Sequence, residues 1–262
     1  MVARKFARDA KPNGGCSGPQ GMRPTTAMPP RLIPFTGFPK TTTSFLKRLH
    51  RFNDREWFAK HRDEYEEVVL APALQFIDTM REPMRSISKH FEVAAEISGG
   101  SLTRIQRDLR FAKDGKPYKT HIGILFRHTG APRTTAPAFA VKIESQRVAI
   151  QVGQPFPDAQ ALTWMRERIA DDEDGWKSVT RTPGFRKRFA FEGEQLKRPL
   201  RGTSPDHPFA EDLRRKCFVA VQTFDPHVIE TKSFVQRAAR SMQAAGSFMS
   251  YLCSTLDLDF EA

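Results

Sequence analysis

Six basic side chains fall at every third position of one short segment: Arg104, Arg107, Arg110, Lys113, Lys116 and Lys119 in GGSLTRIQRDLRFAKDGKPYK, residues 99–119. Guanidinium and ammonium groups at this density suit a phosphate or another anion, Arg offering forked hydrogen bonds and Lys a compact charge. Asp108, Tyr118 and His121 lie in or beside the segment and are the groups able to handle protons next to a bound anion. Spacing by threes matches neither the helical nor the strand period, so no regular element turns all six cations onto one face. Gly115 and Pro117 exclude a helix.

Read as a strand, the segment places Ile105, Leu109 and Phe111 on one face and Arg104, Gln106, Asp108 and Arg110 on the other. Arg107 then falls among the apolar residues, where a guanidinium needs a carboxylate or a bound anion. Asp114-Gly115 is the dipeptide of a type I′ hairpin, which requires positive φ at both positions. That hairpin pairs positions summing to 229, so Asp108 faces His121, Arg110 faces Lys119, and Gln106 faces Gly123. Asp108 and His121 would form an oriented acid/base pair, and an anion between Arg110 and Lys119 would relieve their repulsion. The expected site therefore comprises Asp108, His121 and Tyr118 as catalytic groups and Arg104, Arg107, Arg110, Lys113 and Lys119 as anion-binding groups, with no metal. The alternative is a solvated sheet face carrying the same residues without function. Pro117 cannot donate to a ladder and favours a wider loop.

The elements around this segment follow from periodicity. Phe45, Leu46, Leu49 and Phe52 recur at helical spacing, and Asn53 or Asp54 caps a second helix bearing Trp57, His61, Tyr65 and Val68. His61 reads as a core-edge histidine beside Trp57. Pro72 opens a third helix, which Pro83 kinks. Period two then takes over: Ile122, Ile124 and Phe126 alternate, then Phe139, Val141 and Ile143, then Val148, Ile150 and Val152. A helix capped by Asp158 follows, then a basic stretch around Phe185–Phe189, a short helix capped by Asp206, an apolar run Cys217–Val221, and C-terminal helix from about Pro226. The links between successive strands are too short for parallel crossovers. The expected fold is thus α+β, an antiparallel meander over about residues 101–153 plus a strand near 217–223, packed against N- and C-terminal helices.

The net charge of +12 invites a nucleic-acid partner, but residues 1–34 hold six basic residues against Asp9 and so carry +5 of it, leaving +7 for the rest. Those first residues are rich in Pro, Gly and Thr and read as a disordered basic leader before a single domain at 35–262. Cys16, Cys217 and Cys253 stand in no metal-ligand or framework spacing, the latter two inside apolar stretches that suit small buried hydrophobes. A reducing cytoplasm suits this pattern. No apolar run is long enough to span a bilayer. The phosphate loop, nucleophile elbow, zinc-protease and dinucleotide fingerprints are absent, so no cofactor is expected.

The segment at 99–119 resembles the signature GGS…RI.RD.RF.KDK.PYK of the family catalogued as domain of unknown function 2461. FTGFPKTTTSFLKRLHRFNDREWFAKHRDEY at 35–65 and LKRPLRGTSPDHPFAEDLRRKCF at 196–218 are similar to its flanking blocks. The resemblance implies that Arg104, Arg107, Asp108, Arg110, Phe111, Lys113, Asp114, Pro117, Tyr118 and Lys119 are signature positions, and it implies no activity. Gly115 stands where the family has Lys. The sequence thus points first to binding, with or without transformation, of a phosphorylated or other anionic ligand. Its alternatives are a non-catalytic nucleic-acid-binding protein, and a structural or partner-binding domain in which Arg104, Arg107 and Asp108 form an internal ion network. Oligomeric state stays open.

Overall fold

A computed structural model describes residues 34–96, 99–110, 114–198, 204 and 206–261. Apart from Pro34, the leader expected over 1–34 lies outside the described residues. The described residues fall within one unit that runs Leu32–Ala262.

The N-terminal helices form where the apolar spacing places them. Helix α1 (Thr41–Arg51) buries Phe45, Leu46 and Leu49. Asp54 caps α2 (Arg55–Lys60) by accepting the Trp57 N–H at 2.7 Å. Trp57 stacks on His61 at 4.1 Å, and the His61 ring bonds the Trp57 carbonyl, which is the core-edge role expected of it. Helix α3 (Arg62–Tyr65) runs into a π-helical turn, Glu66–Leu70. A π turn misaligns backbone carbonyls from their usual donors. Here the buried Thr42 hydroxyl donates to the Val68 carbonyl at 2.7 Å.

Helix α4 (Ala71–Thr79) breaks at Met80 and restarts as α5 (Arg81–Ile87). Proline lacks the N–H that would bond four residues back. Pro83 therefore leaves the Thr79 carbonyl without its helical donor, and the interruption lies three residues before the proline expected to kink the helix.

The sheet has five antiparallel strands in the order β1-β2-β3-β5-β4, with β1 Ile122–Arg127, β2 Ala138–Ile143, β3 Val148–Gln154, β4 Ala190–Glu192 and β5 Phe218–Phe224. The fold is α+β; β1, β2 and β3 occupy the segments that the alternation marked, and β5 occupies the apolar run expected near 217–223. The first expected strand, within 101–111, is not regular over its described residues 101–110; single bridges, Leu102 with Ile124 and Gln106 with Tyr118, join these to their neighbours. Strand β4 is a three-residue edge in what read as a basic stretch.

Helices α6 (Ala159–Asp171), α7 (Glu173–Thr180), α8 (Pro183–Arg188) and α9 (Ala210–Leu213) lie in sequence between β3 and β5; α10 (Phe234–Ala244) and α11 (Gly246–Thr255) follow β5. Helices α10 and α11 pack on β3, and α4 packs on β1. They cover the face bearing Ile124, Phe126, Phe139, Val141, Ile150 and Phe218, all essentially inaccessible. Burial of this kind is worth about 1.5–3 kcal/mol per large side chain.

A buried carboxylate ties α7 to α9. Asp212, 1% exposed, accepts from Trp176 Nε1 at 3.0 Å, Arg181 at 2.7 Å and Arg215 at 2.9 Å. Asp206, expected to cap α9, does not: His207 Nδ1 accepts the Phe209 N–H at 3.0 Å instead.

Candidate functional site

The face of the sheet turned away from the helices is assembled from the residues between the core positions. On β1 these are Gly123, Leu125 and Arg127, on β2 Ala138, Ala140 and Lys142, and on β3 Ala149, Gln151 and Gly153. Period two puts them all on one side. Small residues there, Gly123, Ala138, Ala140 and Gly153, form a low floor, and a cleft of about 500 Å³ opens over it, edged by Lys119, His121, Arg127, Lys142, Phe156 and Glu192. That volume falls in the range of small-molecule sites.

The signature segment forms one wall. Thr103 N–H bonds the Gly123 carbonyl and Leu125 N–H bonds the Ser101 carbonyl, both at 2.8 Å, so residues 101–103 lie along the free edge of β1. Further on, Arg107 N–H bonds the Pro117 carbonyl and Lys119 N–H bonds the Ile105 carbonyl. From Leu102 to Gln106 is four residues, whereas from Tyr118 to Ile124 is six. The two extra residues make a bulge containing His121, the device that commonly re-aims a side chain beside a site. A Cβ on Gly123 would lie 2.8 Å from the Thr103 hydroxyl, so the Thr103 side chain would have to shift to accommodate one.

This register overturns the expected one. Gln106 pairs with Tyr118, not with Gly123, and Asp108 does not face His121. Asp108 instead takes a forked bond from Arg110, at 3.0 and 2.6 Å, on an exposed loop. The hairpin premise fails as well. Gly115 has φ +64°, but Asp257 alone among the described non-glycine residues has positive φ, so Asp114 cannot complete a type I′ turn. Arg107 finds the internal carboxylate that its parity demanded, Asp114 at 2.7 and 2.9 Å. Lys119 does not face Arg110; its ammonium donates to the Arg104 carbonyl at 2.8 Å. Lys113 lies outside the described residues.

The expected cluster is thus divided. Lys119 and His121 edge the sheet cleft, whereas Arg104 and Tyr118 line a second cleft of about 560 Å³ with Arg55, Arg62 and Tyr65. Tyr118 stacks on Phe58 at 4.1 Å, and both its backbone groups are held by the Asn53 amide. Burial pushes the Tyr65 phenol up to about 12.

Electrostatics concentrate at the β1–β2 end of the sheet cleft. Burial, with the charges of Lys142 and Lys119, pushes His121 down from 6.5 to about 4, so the imidazole is neutral near pH 7. Burial, then Arg104 and Arg127, lowers Lys119. Arg127 is lowered by burial and by Arg133, with Glu92 opposing. Lys142 pairs with Glu144 at 2.7 Å. Glu144 feels its burial yet stays below the ordinary carboxylate range, because Lys142 and Arg147 donate to it. Neither Lys119 nor Arg127 makes a salt bridge among the described residues. Cys217, expected to be buried, is half-buried at the cleft's other end, where burial raises its thiol. Cys253 is buried as expected.

Sequence reasoning missed Arg127, Lys142, Gln151 and Phe156. The signal for the first three was present, since the same alternation that assigned the core positions also assigned the intervening residues to the opposite face. Among the described residues, no three His, Cys, Asp or Glu side chains are grouped to hold a metal ion, and no helix is long and apolar enough to cross a membrane. Comparison with curated proteins and with solved structures gives no match. A family model matches residues 41–251, most of the chain, and the chain belongs to that family, described as Conserved hypothetical protein (DUF2461).

Proposed function

We propose that the chain binds a small phosphorylated or otherwise anionic molecule in the sheet cleft, held by Lys119, Arg127 and Lys142 with neutral His121 beside them. One observation carries this reading: Lys119 and Arg127 edge one concave face floored by glycine and alanine and form no salt bridge among the described residues, Glu92 acting on Arg127 only through its charge while itself bonded to Arg133. Partly buried cations that repel one another cost stability, and a bound anion converts that repulsion into charge-assisted hydrogen bonds. His121 accepts a proton once an anion offsets the two lysines, so it is the group in this cleft suited to acid/base work.

The test is thermal denaturation with inorganic phosphate. At ten times its dissociation constant, phosphate stabilises by about 1.4 kcal/mol, which raises Tm by roughly 3 °C for a chain of this size. Arg127→Ala abolishes the rise. No rise in the unaltered chain, or an undiminished rise in Arg127→Ala, rejects the reading.

A further inference from the structure

The two ends of the sheet cleft differ in chemistry. The cations stand on and before β1 and β2, while the far end is mainly apolar apart from Glu192, which pairs with Arg147: Pro155 and Phe156 follow β3, Cys217 immediately precedes β5, and Val219 lies on it. Phe156 is 71% exposed, the most exposed large hydrophobic side chain among the described residues, and it edges the cleft. Between the two ends the floor is flat, Ala138 and Ala140 on β2 beside Gly153 and Gln151 on β3. From β1 to β3 is two strand intervals, about 10 Å.

An exposed aromatic ring beside a flat apolar floor, with cations at the opposite end, fits a ligand divided in the same way. Resting on the reading above, the geometry points to an aryl or heteroaryl phosphate, its phosphate among Lys119, Arg127 and Lys142 and its ring between the floor and Phe156. The Gln151 amide in the floor and the Glu192 carboxylate at the far rim are placed to hydrogen-bond polar edges of a heteroaromatic ring. Stacking on Phe156 and burial of the ring then supply affinity that the phosphate alone cannot.

Calorimetric titration of the full chain with methyl phosphate and with phenyl phosphate isolates the ring, because the two probes carry the same anionic group. Phenyl phosphate binds about tenfold tighter or more, and Phe156→Ala reduces the two to near parity while leaving methyl phosphate unchanged. Phe156 is exposed, so its removal leaves the core intact. Equal affinities in the unaltered chain, or a preference for phenyl phosphate that survives in Phe156→Ala, overturn the inference while the anion site stands. Binding of neither probe overturns both.

Discussion

Replacing His121 by Gln removes one titrating group from the wall of the sheet cleft, and its effect on stability follows from the displacement of that group. The imidazole titrates near 6.5 when unfolded and about 4 when folded. A depressed histidine favours the unfolded chain as pH falls, because the unfolded state takes up the proton first. The penalty is absent above pH 6.5, grows as pH falls through the window from 6.5 to 4, and levels off below it at about 3 kcal/mol, at 1.36 kcal/mol per pH unit. At pH 5 it reaches about 2 kcal/mol. The ring is partly exposed, so solvent screening of the lysine charges makes these upper values. Urea denaturation at pH 7 and pH 5 measures the effect as a difference of differences, in which every other titrating group cancels. The unaltered chain should lose up to about 2 kcal/mol more than His121→Gln on going to pH 5. A difference below about 0.5 kcal/mol would mean that the imidazole is freely hydrated and would refute the charge argument for the cleft.

Asp212→Ala should cost about 3–5 kcal/mol in chemical denaturation, since it strands two guanidinium groups and the Trp176 N–H around a buried carboxylate position. A cost under 1 kcal/mol would show that the network is not holding α7 to α9. Gly123→Ala should weaken phosphate binding by displacing the Thr103 side chain over the cleft floor, and adding Thr103→Ala should restore part of the loss, with a coupling of about 0.5 kcal/mol or more in the double-mutant cycle. Additive effects would separate Thr103 from the cleft wall.

Periodicity served the regular elements and failed where side chains overrode the local pattern. The three strands β1, β2 and β3 were legible from alternating apolar residues because one face of each is buried against helices, and β5 was legible from a continuous apolar run. The segment at 101–111 alternates too, but it pairs only through single bridges, and Pro117 with the two-residue excess around His121 shifts its register. The sum of 229 assumed that Asp114-Gly115 was a two-residue loop, whereas the Gln106–Tyr118 bridge and the Arg107 N–H to Pro117 carbonyl bond close a wider one, with the Arg107–Asp114 pair beside them. Half of the candidate site was therefore legible. Lys119 and His121 lie in the charge-dense segment, whereas Arg127 and Lys142 are isolated charges along the chain that only strand alternation brings to the same face. Phe156 gave no periodic signal, since it lies in the loop after β3. The buried Asp212 network was illegible because its partners come from separate helices.

The proposed anion beside His121 in the sheet cleft is tested by titrating the His121 ring by NMR with and without saturating inorganic phosphate. A negative charge at close range favours the imidazolium, so the midpoint should rise from about 4 by at least about one pH unit. An unchanged midpoint at saturating phosphate would contradict the account.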